Sequence, residues 1–280
     1  LTAPQVLRSL ILMRVKNWDY RELRERIADG YTLRHFTHFE SQLVPKHDAF
    51  NRAVNRLMPD TLHAINAAIV QAAVDLGLED GTKLRVDTTV VETDIHHPTD
   101  NTLLWDSVRV LTRLVRQLGD LLPAGVGPFT NRTRAARRRM QEIQRMTAKE
   151  RHTQQVSTYR ALIRVAEQVV ADARAVLKRP SRPGGAITTR VAVAALHQEI
   201  MRHCQLADRV ISQTRRRVLQ GEQVPTEEKI YSIFEPHTDL IKRGKVLKPI
   251  EFGHKVFLAE SGRGLITQYR VLTGNPADQV

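Results

Sequence analysis

Two segments far apart in the sequence, residues 84–107 (LRVDTTVVETDIHHPTDNTLLWDS) and residues 250–280 (IEFGHKVFLAESGRGLITQYRVLTGNPADQV), break the helical patterning of the chain and supply the strands of a sheet. In residues 83–92 the β-branched run Val86, Thr88, Thr89, Val90 and Val91 predicts a strand, and its near-continuous apolar character predicts burial on both faces. Asp87 interrupts that run. A carboxylate in a central strand is costly to bury unless it is paired or binds a cation, so Asp87 is either bonded to a neighbouring turn or a metal ligand. Residues 250–258 and 265–272 read as two further strands, joined by 259–264, where Gly262 and Gly264 suit a hairpin turn.

The rest is helical in pattern. In residues 3–77, Val6, Leu7, Leu10, Ile11 and Met13 recur at helical spacing, and Leu23 and Ile27 do so before Gly30. Asp60 is expected to cap a helix running to about Leu76, with Leu62, Ile65, Ile69, Ala73 and Leu76 on one face. Trp18, Tyr20, Phe36 and Phe39 are expected in the core of this N-terminal unit. Residues 103–122, 131–178 and 187–220 form three long helical patterns, broken at 123–128 and 180–185. The middle one would be a single helix of roughly 65 to 70 Å if unkinked. The fold class is therefore α/β with large α content. Residues 1–80 form an N-terminal helical domain, 81–102 hold the first strand, 103–222 are a basic helical insertion, and 223–280 return to the sheet.

Charge is concentrated in that insertion. Residues 104–220 hold 23 Lys and Arg against 8 Asp and Glu, whereas the other residues hold 20 against 22. Arg132, Arg134, Arg137, Arg138 and Arg139 lie within nine residues, and Arg215, Arg216 and Arg217 follow. Such clustering favours phosphate contacts that weaken with salt, the alternative being a solvated helical face.

The single cysteine, Cys204, cannot form an intramolecular disulfide, so a reducing cytoplasm is the expected location. No run approaches the roughly 18 apolar residues that span a bilayer, and no membrane partner is expected. The chain begins with Leu1 and stops at Val280 after a polar loop, so truncation at both ends is expected.

The quoted segments, with TDIHHPTDNTLLWDS after the first strand and PTEEKIYSIFEPHTDLIKRGK at residues 225–245, resemble the ISNCY-type transposases of the DDE superfamily. The resemblance covers most of the chain. It implies an RNase H-like mixed sheet, interrupted by the long helical insertion and carrying the first catalytic aspartate at Asp87. Transposases of this kind cut at transposon ends and join the free 3′-hydroxyls to target DNA. Two divalent ions, Mg²⁺ or Mn²⁺, about 3.5–4 Å apart, would be held by two aspartates and a glutamate. The second aspartate and the glutamate have no match before Val280, so this portion alone is expected to be inactive. The implied partners are terminal inverted repeats and target DNA, with a homodimer on DNA and a prokaryotic, nucleoid-associated location. Two alternatives stay open: a non-catalytic DNA-binding remnant, and a helical nucleic-acid-binding scaffold.

Other clusters are expected to be structural. Asp94, His96, His97 and Asp100 lack the second Cys/His pair of a zinc site, and Thr99 or Asp100 is expected to cap the next helix. Glu235, His237 and Asp239 are expected to position the following strands, no nucleophile lying beside them. His254 and Lys255 are expected to face solvent, with phosphate contact near Asp87 as the alternative. Asp278 is expected at a helix start.

Overall fold

The computed structural model describes residues 1–179, 186–242 and 249–276. The order is α1 (Ala3–Lys16), α2 (Tyr20–Asp29), α3 (Tyr31–Phe36), α4 (His47–Val54), α5 (Pro59–Asp75), β1 (Leu84–Glu92), α6 (Asp100–Leu121), α7 (Thr133–Arg145), α8 (Ala148–Lys178), α9 (Ile187–Thr214), β2 (Asp239–Lys242), β3 (Ile250–Ser261) and β4 (Ile266–Val271). A π-helical turn, Arg215–Leu219, extends α9. The protein is thus a mixed α/β chain, about 59% helix, with a small four-stranded antiparallel sheet. No described helix is long and apolar enough to cross a membrane.

The chain divides into two compact units. One comprises Leu1–Arg85 and Ala259–Gln268, the other Val86–Leu258 and Tyr269–Val280. In the first, α1, α2 and α4 enclose Leu12, Met13, Leu23, Ile27, Phe39, Val44 and Phe50. Thr2 starts α1 with a reciprocal capping box to Gln5, satisfying two orphan helix-end donors. Phe39 is buried and Trp18 and Tyr20 pack against this core, but Phe36 stays exposed beneath the Arg8 guanidinium.

α5 departs from the sequence pattern. None of its residues is buried: on the apolar stripe Leu62, Ile69 and Leu76 are exposed, and Ile65 and Ala73 are half-buried. Pro59 occupies the first turn and Met58 the cap position, so Asp60 does not cap the helix.

The second unit is built on α6, α7, α8 and α9 around Leu104, Leu111, Leu118, Leu162, Val169, Ile200 and Val210. Thr99 caps α6 as expected. The single helix expected over residues 131–178 is two: Met146 is extended, and Thr147 starts α8 with a capping box to Glu150. A threonine that satisfies free N–H groups at a helix start competes with continuation of the preceding helix, and here the cap wins.

Within the sheet, β3 is the central strand. β1 lies on one side, and the bonds Thr93 N–H to Phe252 O and Gly262 N–H to Lys83 O make that pairing antiparallel. β2 pairs antiparallel with the start of β3, Asp239 opposite Gly253, and β4 pairs with the rest of β3. β2 was not foreseen, its four residues being too few for a period to show. β1 is not buried on both faces: Leu84, Val86 and Val91 are 63%, 54% and 55% exposed. Alternation-free apolar strands require a layer on each face, and the described residues do not supply both.

Candidate functional site

Asp87 sits in β1, exposed, and one carboxylate oxygen accepts the Thr88 N–H at 2.8 Å. Its carboxylate therefore faces water rather than a low-dielectric core, so the cost expected for a buried charge does not arise. Among the described residues no group of three or more His, Cys, Asp or Glu side chains is placed to hold a metal ion.

The eight arginines separate into two classes. Arg132 pairs with Asp172 at 2.5 Å, Arg139 with Glu142 at 2.8 Å, Arg217 with Asp100 at 2.8 Å, and Arg215 with Glu167. Arg216 bonds both Glu222 and Glu228, and its guanidinium holds the Glu222 carboxyl below the usual range. These five are engaged in ion pairs within the protein. Arg134 and Arg137 have no carboxylate partner among the described residues, and Arg138 makes a long contact of 3.7 Å to Glu142.

The geometry of α7 sorts them. Ala136 and Ile143 are buried, and the residues at positions 134, 138 and 145 fall on the opposite face at four- and seven-residue steps, with Arg137 exposed on its flank. Arg145 joins the exposed set, likewise without a carboxylate partner among the described residues. From Arg134 to Arg145 the stripe extends about 16 Å along the helix. The spacing carried that signal in the sequence, since 134, 138 and 145 share one helical face.

Residues of the loop after β1 do not come together. His96 reaches Asp106 at 3.5 Å, His97 sets its ring edge-on to Phe252, and Asp100 is buried against Gln213 and Arg217. Burial, with the Asp100 charge behind it, pushes the Tyr159 hydroxyl up to about 12. Lys255 is buried rather than solvent-facing and donates to Pro276 O at 2.7 Å. His254 is also partly covered, and its Nε2 lies 2.8 Å from His237 Nδ1. Glu235, His237 and Asp239, read as connector residues, meet His254 in a row of one hydrogen bond and two ion-pair contacts that sequence spacing alone did not reveal. Asp278 lies outside the described residues.

Cys204 is buried in the helical core, and burial pushes its thiol up to about 11. A raised thiol pKa stabilises the folded state at low pH, and that contribution fades as pH rises from the unfolded value of about 8.5 towards 11. At pH 8, iodoacetamide should leave native Cys204 unmodified and alkylate it only on unfolding, as read by mass spectrometry. Rapid labelling of the folded chain would contradict the packing around it.

Comparison with protein-family models, with curated proteins and with solved structures finds no match for this chain.

Proposed function

We propose that this chain is a DNA-contacting portion of a DDE-type transposase, with an RNase H-like core that opens at β1. The observation that carries the DNA contact is the stripe Arg134, Arg138 and Arg145, exposed on α7 opposite its buried face, with Arg137 exposed beside it. A row of exposed guanidinium groups along one helix suits a phosphate backbone, each contact releasing condensed counterions. The strand order supports the core reading: β3 and β4 form the hairpin and β1 runs antiparallel on the other side of β3, as expected of the first three strands of such a sheet.

Asp87 fits the role of a first magnesium ligand, being an exposed carboxylate at the centre of a strand. Bound magnesium would supply electrostatic stabilisation for in-line displacement at phosphorus. A two-ion site needs more acidic ligands than the described residues bring to Asp87, so no catalytic step is assigned to this portion.

Replacing Arg134, Arg137 and Arg145 with Gln should weaken binding to duplex DNA similarly for all sequences and reduce the salt slope by about 3, near 0.9 for each lost phosphate contact. Fluorescence anisotropy over a salt series reads both quantities. In the intact protein, Asp87→Ala should abolish Mg²⁺-dependent cleavage and leave DNA affinity unchanged. Cleavage that survives the substitution would remove Asp87 from the metal site.

A further inference from the structure

The row Glu235, His237, His254 and Asp239 belongs to neither the basic stripe nor Asp87. Glu235 Oε2 lies 2.8 Å from His237 Nε2. His237 Nδ1 lies 2.8 Å from His254 Nε2, with the two rings stacked at 5.0 Å and 29°. His254 Nδ1 lies 3.5 Å from Asp239 Oδ2, an oxygen that also accepts the Gly274 N–H at 3.1 Å. Both carboxylates are therefore on the outer nitrogens of a facing pair of imidazoles.

The contact between the rings is a hydrogen bond, and the carboxylates, which can only accept, stand at ion-pair distance from the outer nitrogens and favour the tautomers that carry hydrogen there. A neutral imidazole then has a lone pair on its other nitrogen, and here the two lone pairs meet. Two such pairs 2.8 Å apart repel unless something positive lies between them. The smallest candidate is a proton, which the spacing accommodates as one N–H···N bond.

We propose that His237 and His254 form a two-histidine site for a borderline divalent transition cation, represented by zinc, which takes the place of the shared proton. Each half of the row places a carboxylate beside the outer nitrogen, where a metal-bound histidine donates its other N–H to fix its tautomer and raise its basicity. Neutral imidazole suits zinc, copper and nickel, whereas magnesium prefers oxygen, so this site is chemically distinct from one at Asp87. Zinc–nitrogen bonds of about 2.0–2.1 Å at a tetrahedral angle require the two nitrogens roughly 0.5 Å further apart. His237 can supply that movement, because it lies on a turn with a side chain 59% exposed, while His254 is held in β3 at 23%. No third protein ligand converges there among the described residues, so water completes the coordination. The ion would bind with release of one proton and would tie the turn at 235–238 to β3.

Titrating the full chain with Zn²⁺ in an isothermal calorimeter at pH 7.5, in two buffers of different protonation enthalpy, tests this directly. The expected result is one binding event that releases about one proton, lost in both His237→Ala and His254→Ala. Glu235→Gln should weaken that event by about 10- to 100-fold, the usual cost of removing a carboxylate behind a metal-bound histidine. Circular dichroism reports whether each variant is folded, and His237→Ala, on an exposed turn, serves if His254→Ala is not. The chain holds eleven histidines, so binding that persists undiminished in folded His237→Ala would place zinc elsewhere and overturn the proposal. Absence of binding to the wild-type chain would equally overturn it, leaving the pair with a proton only.

Discussion

Gly253→Ala should lower the stability of the chain by about 3 kcal/mol or more, the largest effect expected of any single methyl group added to the sheet. A β-carbon at residue 253 would stand 2.1 Å from Val91 O and 2.7 Å from Glu92 Cα. Both obstacles are backbone, so no side-chain rotation relieves the clash. The neighbouring strand must move, and with it the bond from Thr93 N–H to Phe252 O. Residue 253 also faces Asp239 across the β2 pairing, so displacement on one side is resisted on the other. For a unit of this size the thermal midpoint should fall by roughly 6–12 °C. A variant melting within a degree of wild type would mean that β1 and β3 are not as close as described.

Asp100→Ala should cost about 2–3 kcal/mol, because it removes two charge-assisted or buried hydrogen bonds at once. Asp100 is 6% exposed at the start of α6, where a negative charge is favoured by the free N–H groups. One oxygen accepts from Gln213 Nε2 at 3.0 Å and the other from Arg217 at 2.8 Å. Gln213 in turn accepts the Ile230 N–H at 2.8 Å, so the carboxylate orients the amide that holds the segment after the π-helical turn against α9. Arg217 is partly exposed and can turn to water, which keeps the cost below that of breaking a fully buried pair. Urea unfolding should show a lower midpoint with an unchanged slope. A change under about 0.5 kcal/mol would show that the network is rebuilt around water.

Much of this architecture was legible because local signals agreed with tertiary ones. Val86 to Val91 and the turn at Gly262 and Gly264 mark strands in any context, and Thr99 has a cap's chemistry wherever a helix follows. The long helices were readable from their apolar stripes, apart from the break at Thr147, where a cap overrode a continuous pattern. What pattern cannot encode is the partner. Val86, Ile69 and Leu76 look like core residues, yet burial depends on a second surface, and all three are exposed.

The candidate site shows the same limit. Arginine clustering was visible, but whether a guanidinium is free depends on carboxylates distant in sequence. Arg132 meets Asp172 forty residues away, and Arg217 meets Asp100 across more than a hundred. The row through His237 depends on His254, seventeen residues on and in another strand, so the local motif looked like a connector.

The most direct test of the central claim is the salt dependence of duplex DNA binding by the unmodified chain. If Arg134, Arg137, Arg138 and Arg145 lie along the phosphate backbone, log K should fall against log salt with a slope of about −3 or steeper. A flat response, or no binding at low salt, would contradict the proposed contact between α7 and DNA.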